Sequence, residues 1–316
     1  MNGLSFQALV RRVDLFTLKL FLSAVEEGQI GRAAAREHIA PSAATKRIQD
    51  LEDLAGLKLF ERNPKGVVPS PAGEVLARHI RMMLNNLEAM RREIGEFAEG
   101  VRGHIGVCAP RLLIVHFLAR EVAEFLQSYP QAEVDLREDN NAGAVRALTL
   151  GEVDLAVFVA SPDLPTEGIE SFECGRDRLV AVVPRGHPWC GREGLTLEEL
   201  LEADIVGPAG TTLLPNLRRA AAAIGREVHS KFNVNTVEAA RSMVAAGLGV
   251  TIQPASMLST EDHGQMGTGP VCSVPLDGEW AMRSHRVGML RGKSLGPACV
   301  AFIHQLTGHH EAAADA

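Results

Sequence analysis

Between Pro71 and Phe97 the apolar residues Leu76, Ile80, Met83, Leu87, Met90, Ile94 and Phe97 recur at alternating spacings of four and three. Only a long helix satisfies that pattern, because a heptad repeat keeps one narrow apolar seam on a single face. At the rise of an α-helix the segment spans about 40 Å. Arg78, Arg81, Glu88, Arg91, Arg92 and Glu93 flank the seam. A helix charged on its flanks and apolar along one stripe reads as a coiled-coil dimerisation helix rather than as a buried core helix. It also divides the chain, leaving one segment before residue 71 and another after residue 98.

The first segment reads as helical. Asp14 is placed to cap a helix in which Leu18, Phe21, Leu22 and Val25 share one face, and Gly28 ends it. A second short helix covers about Ile30–Glu37. Pro41 suits the first turn of a third, which runs to about Leu54 with Ala44, Ile48 and Leu51 facing inward. The next stretch, from Gly56 through Asn63-Pro64-Lys65-Gly66 to Gly73, reads as strand, basic turn, strand. The whole chain carries a formal charge of −7. Residues 1–100 hold 14 Lys and Arg against 13 Asp and Glu, whereas residues 101–316 hold 18 against 26. The acidity therefore belongs to the later part, and the first segment is left able to present a basic face. Three short helices with a tight turn before the last, followed by strand, basic turn, strand, resemble a DNA-binding helix-turn-helix with a wing, in which helix three would offer Ser42, Thr45 and Gln49 as readers of base edges in a major groove. Lys46 and Arg47 have the reach for guanine or phosphate, and Arg32, Arg62 and Lys65 are placed as clamps on the DNA backbone.

After a hinge-like Gly100-Val101-Arg102-Gly103, short strand patterns alternate with helices, as in an α/β fold with parallel strands. No apolar run is long enough for a membrane helix, and the N-terminus lacks the features of an export signal, so a cytoplasmic protein is expected. The five cysteines are far apart with no C-x-x-C, a pattern that excludes the usual zinc and disulfide frameworks. No Ser-His-Asp, paired-carboxylate or H-E-x-x-H arrangement stands out, so no catalytic residue, metal site or cofactor is assigned. The last residues, 307–316, read as a disordered tail.

Leu18-x-x-Phe21, Val25-Glu26-Glu27-Gly28, Arg32-Ala33-Ala34, Ile48-x-x-Leu51-Glu52, Gly56-x-x-Leu59-Phe60-Glu61-Arg62 and Pro71-Ala72-Gly73 occur in an order and spacing that resembles the LysR-type transcriptional regulators. The later segment is similar to that family's effector domain in Phe125-x-x-x-Tyr129-Pro130, Leu150–Ala156, Arg185-Gly186-His187-Pro188 and Val244–Pro254. The chain departs from the family at Gly28-Gln29 and at Ala40-Pro41-Ser42-Ala43-Ala44-Thr45, positions that bear on base preference rather than on fold. The resemblance implies a winged helix-turn-helix over 13–70, a linker helix over 71–98, and a two-lobed domain over 102–306 resembling type 2 periplasmic binding proteins. It places the lobes at 102–162 with 268–306, and at 163–267. It further implies a homodimer or homotetramer on an inverted-repeat site in double-stranded DNA, modulated by a small-molecule effector, with RNA polymerase as a further candidate partner. Arg111, Leu112, Phe158, Thr211, Thr212, Asn235, Thr236, Gln253 and Pro254 are the expected lining of the effector cleft. There Arg111 has the geometry to clamp a carboxylate, so a small organic acid is the expected ligand. Some family members sense oxidants through two cysteines in the second lobe, and Cys174 with Cys190 is the pair to weigh. Little near either activates a thiol, so both are read as inert.

Overall fold

A computed structural model describes residues 11–64, 66–99, 103–258 and 269–314. The chain divides near residue 98 into two compact units.

The first unit holds α1 (Leu15–Glu27), α2 (Ile30–Arg36), α3 (Pro41–Ala55), the strands β1 (Phe60–Asn63) and β2 (Gly66–Pro69), and α4 (Pro71–Glu99). Its starts and stops follow from local chemistry. The Asp14 carboxylate accepts from the Thr17 amide at 2.6 Å, Gly28 ends α1 at φ 65°, Pro41 opens α3, and Gly56 ends it at φ 70°. Leu20, Phe21, Ala33, Ala34, Ala44, Ile48, Leu51 and Phe60 form the core, with the Phe21 and Phe60 rings tilted against each other at a centroid distance of 4.8 Å. Small alanines on α2 permit the close crossing. β1 and β2 pair as an antiparallel hairpin, the wing. Gly66 seats it: φ is 149°, the Val67 amide donates to the Gly28 carbonyl at 2.8 Å, and a Cβ on residue 66 would lie 2.1 Å from that oxygen.

The heptad seam of α4 is divided along its length. Ile80 is buried, and Leu76 and Met83 pack against the same winged-helix core. Farther along, Met90 and Ile94 stand 51% and 63% exposed. The N-terminal part of the seam is thus taken up within its own unit, because α4 leaves the wing directly and covers the winged-helix core first. The side chain of Phe97 and residues 100–102 of the expected hinge lie outside the described residues.

The second unit contains β3 (His104–Ala109), then a helix α5 in three successive stretches. These are Arg111–Leu113, a wider π-type turn Ile114–Leu118, and Ala119–Ser128. β4 (Glu133–Glu138), α6 (Asn141–Thr149), β5 (Leu155–Val159), β6 (Ile169–Pro184), α7 (Leu197–Leu200), β7 (Ile205–Pro208), α8 (Leu213–Ala223) and β8 (Ser230–Val234) follow. The last elements are α9 (Val237–Ala245), β9 (Thr251–Pro254), β10 (Val271–Pro275), β11 (Met282–Leu290) and α10 (Pro297–Ala314). A seven-stranded sheet runs β10-β6-β11-β5-β3-β4, with β9 also on β6, and β7 and β8 form a small parallel pair. The sheet is mixed rather than parallel throughout. β3, β4 and β5 are parallel, but β6 is antiparallel to β9, β10 and β11. Short connections such as the one from β10 to β11 leave no room for a helical crossover.

β6 belongs to both lobes. Its first part pairs with β11 and contributes Cys174 to one core; from Leu179 onward it pairs with β9 and β10 and contributes to another. The lobes therefore exchange chain between Asp177 and Leu179 and again between Pro275 and Met282, not at residues 163 and 268. Sequence pattern reveals a strand but not which half of it meets which partner. Two further expectations are corrected. α10 runs on to Ala314, through the stretch read as a disordered tail, because Gly308 stays out of the left-handed conformation that would end it and the alanines beyond favour helix. Cys190 and Cys272 form a disulfide across a separation of 82 residues, a pairing created only by the fold. Cys174 is a buried free thiol, pushed by burial up to about 12, and takes no part in it.

Gly66→Ala is expected to destabilise the wing by about 1–3 kcal/mol from backbone strain alone. Hydrogen exchange at the Val67 amide should accelerate accordingly, while amides of α2 keep their protection.

Candidate nucleic-acid interface and effector cleft

On α3, Ser42, Lys46 and Gln49 are exposed, while Thr45 is half-buried and donates its hydroxyl to the Pro41 carbonyl at 2.9 Å. These four lie on the side opposite Ala44, Ile48 and Leu51, so packing fixes which side chains the helix can offer. Arg47 is directed elsewhere. Its guanidinium meets the Asp14 carboxylate at 2.8 Å and the Thr17 hydroxyl at 2.6 Å, and lies 5.4 Å from the Phe16 ring centroid. The hydrogen bond from Arg47, with that from the Thr17 amide, holds the Asp14 carboxyl at about 2. Arg47 thus ties α3 to the start of α1. Arg32 is exposed on α2. The side chain of Arg62 and all of Lys65 lie outside the described residues.

Two buried carboxylates position this surface: Glu52, which the sequence marks only as part of the family motif, and Glu37. Glu52 accepts from the Leu59 and Phe60 amides at 2.9 and 3.2 Å and from Lys58, and so fastens the end of α3 to the wing. Glu37 accepts from the Ser23 hydroxyl at 2.6 Å and pairs with Lys19 at 2.9 Å, joining α2 to α1. Burial raises both carboxyls, yet these donors outweigh it and leave each below its ordinary value.

In the second unit a cleft of about 880 Å³ opens between the lobes. The starts of α5, α6, α8 and α9 all line it, at Arg111, Asn141, Leu213's cap Thr212, and Val237. Each helix therefore directs the positive end of its dipole and its first amides toward the same space. Local bonds fix their placement. Asn141 exchanges two hydrogen bonds of 2.9 Å with the backbone of Val159, and the Thr236 hydroxyl caps the Ala239 amide at 3.2 Å. The Thr211 hydroxyl accepts from the Leu213 amide at 3.1 Å.

Of the expected lining, Arg111, Leu112, Thr211, Thr212, Asn235 and Thr236 border this cleft. Phe158 does not: β5 is buried on both faces, and Phe158 packs among Ala144, Val145, Leu148 and Ile169. The strand presents Val159 and the following Ala160 and Ser161 instead. Gln253 is 1% exposed, outside the cleft lining, and its side-chain atoms have no hydrogen-bond partner among the described residues. Pro254 borders a separate cavity of about 110 Å³ with His116, Asp177 and His285. Residues that sequence reasoning missed include Ser161, Asp163, Arg219, Glu238 and Arg283. Only their spatial convergence marks them.

Arg283 forms part of the wall between the two cavities. It is 5% exposed and directly opposite Asp177 in the β6–β11 register. Its Nε donates to Asp177 at 2.7 Å, a second guanidinium nitrogen also donates to that carboxylate, and Nη1 reaches the Thr212 hydroxyl at 3.3 Å. His285 Nε2 lies 3.1 Å from the same carboxylate. Burial raises the Asp177 carboxyl, but the His285 and Arg283 hydrogen bonds and charges prevail and hold it at about 2.

A winged helix-turn-helix with a polar face on its third helix, and a two-lobed α/β domain enclosing a cleft, define a DNA-binding regulator with a ligand-responsive domain. Residues 15–74 match the family model described as bacterial regulatory helix-turn-helix protein, lysR family, and residues 98–311 match the LysR substrate binding domain. The chain belongs to the LysR family of transcriptional regulators, which act on transcription rather than as enzymes. It is 31% identical over 170 residues to the HTH-type transcriptional regulator SsuR of Burkholderia cenocepacia, covering 54% of this chain and about half, 55%, of that protein. With the RuBisCO operon transcriptional regulator of Allochromatium vinosum it shares 27% identity over 292 residues, 92% of this chain and 94% of the relative. The fold matches the crystal structure of full-length CbnR complexed with its target DNA, with a TM-score of 0.66 and 21% identity over 93% of this chain and 99% of that one. Among the described residues no helix is long and apolar enough to cross a membrane, and no group of three or more His, Cys, Asp and Glu is placed to hold a metal ion.

Asp177→Asn leaves Arg283 buried without its counter-charge and is expected to cost about 3–5 kcal/mol at neutral pH. Because the Asp177 carboxyl is lowered from 3.8 to about 2, its stabilisation is complete above that ordinary value and is lost as pH falls between the two. Urea unfolding at neutral pH and near pH 3 should therefore show the gap between wild type and variant shrinking in acid.

Proposed function

We propose that this regulator reads an inverted-repeat site as a homodimer, with dimers pairing into tetramers, and that a small organic acid in the interlobe cleft modulates it in the cytoplasm. The convergence of four helix N-termini on one cleft carries the choice of an anion, since each supplies oriented amides and positive potential. Ser42, Thr45 and Gln49 act as base readers, and Lys46 with Arg32, Arg62 and Lys65 as backbone contacts. Arg47, held by Asp14, serves mainly to set the angle of α3. The exposed part of the α4 seam, with Met90 and Ile94, supports pairing with a second copy. RNA polymerase remains the further partner that transcriptional control calls for.

Capture of genomic DNA on the purified protein should enrich a few fragments sharing an inverted repeat, with Lys46→Ala/Gln49→Ala losing them. Equal capture of all fragments by both proteins would exclude α3 as the reading element. Met90→Asp/Ile94→Asp should shift the protein toward monomer in sedimentation while its melting midpoint is kept. A panel of small carboxylic acids and their amides, screened by thermal shift, should stabilise the protein only in the acid form.

A further inference from the structure

Two ion pairs cross the mouth of the cleft in a reciprocal arrangement. Arg111, at the start of α5 in the first lobe, meets Glu238, at the start of α9 in the second, at 3.3 Å. Arg219, on α8 in the second lobe, pairs with Asp163, which follows β5 in the first, and donates to the Ser161 hydroxyl at 2.9 Å. All five residues border the cleft. Each lobe thus contributes one guanidinium and one carboxylate, and the lobes cannot part without breaking both pairs.

We infer that the two pairs are latches, and that Asp163 and Glu238 act as internal placeholders for the anionic group of an effector, occupying Arg219 and Arg111 until a ligand competes for them. Exposure makes the exchange easy. The side chains of Arg111 and Glu238 are 50% and 54% exposed, and those of Arg219 and Asp163 are 37% and 76% exposed. Water and salt screen such contacts, so each pair shifts an opening equilibrium by only about 1.4- to 5-fold, and the two together by about 2- to 30-fold. Arg283 differs: it is buried and forked onto Asp177 of the neighbouring strand β6, so it stays with that carboxylate whichever state the lobes adopt. A ligand carboxylate entering the cleft offers each outer guanidinium the same two-oxygen acceptor that Asp163 or Glu238 offers, with no new desolvation of the arginine. The placeholder role rests on the anion reading of the cleft; the latch role does not.

The test uses full-length protein and the isosteric double variant Asp163→Asn/Glu238→Gln. Hydrogen exchange of peptides from the cleft-facing starts of α8 and α9 should run about 2- to 30-fold faster in the variant than in wild type at low salt. Peptides from β7 serve as the control and should be unchanged. Raising potassium chloride should bring wild type toward the variant and leave the variant where it was. Equal exchange in both proteins at both salt concentrations would overturn the latch. Sulfate, added at matched ionic strength, then probes the freed guanidiniums. It should raise the melting midpoint of the double variant more than that of wild type, and Arg111→Gln/Arg219→Gln should abolish the difference. Equal sulfate effects on wild type and double variant would overturn the placeholder role while leaving the exchange result standing.

Discussion

Asp177 lies where β6 leaves one lobe and enters the other, and its carboxylate holds two side chains of β11 at once. The pairing fixes register as well as charge. Arg283 stands directly opposite Asp177, and His285 opposite Gly175, where a Cβ would come within 3.2 Å of the imidazole. A slip of one residue would turn Arg283 and His285 to the opposite face and leave the carboxylate buried without donors. The strands that pass between the lobes are therefore locked at the position from which both cavities are built. Everything that faces the cleft from α5, α6, α8 and α9 is placed relative to that lock.

The parts of this molecule that were legible in the sequence are those whose signal is local or periodic. The α4 heptad, the Asp14 cap, Pro41 at the start of α3 and the inward set Ala44, Ile48 and Leu51 all concern residues within two turns of one another. The cleft is different. Arg111 meets Glu238 across 127 residues of chain and Arg219 meets Asp163 across 56, so no window reveals either pair. Phe158, expected in the lining, lies on β5, which is buried on both faces, and the lining begins at Val159. The family motif did mark Glu52, yet as part of a pattern; that its carboxylate anchors the wing through two amides is visible only in three dimensions.

Charge is distributed to match two tasks. The later part of the chain is strongly acidic, and its cleft sets four helix N-termini and three arginines beside Glu138, Asp139, Asp163 and Glu238, so positive and negative groups share one lining. The first segment is nearly neutral overall, and Glu37 and Glu52, two of its acidic groups, are turned inward onto hydroxyl, amide and lysine donors. Burying those carboxylates leaves Arg32 and Arg36 on the outer face of α2, and Lys46, Asp50 and Asp53 with neutral polar side chains on that of α3.

The bond between Cys190 and Cys272 makes much of the second lobe a covalent ring. Closing 82 residues of unfolded chain removes entropy equivalent to about 4.5 kcal/mol, a gain that vanishes on reduction. No cysteine precedes residue 108, so the DNA-binding unit contains nothing that thiols can alter. Thiol balance in the surroundings therefore acts directly on the second unit alone, setting the durability of the lobe that carries Arg219 and Glu238, while α3 holds nothing for it to act on.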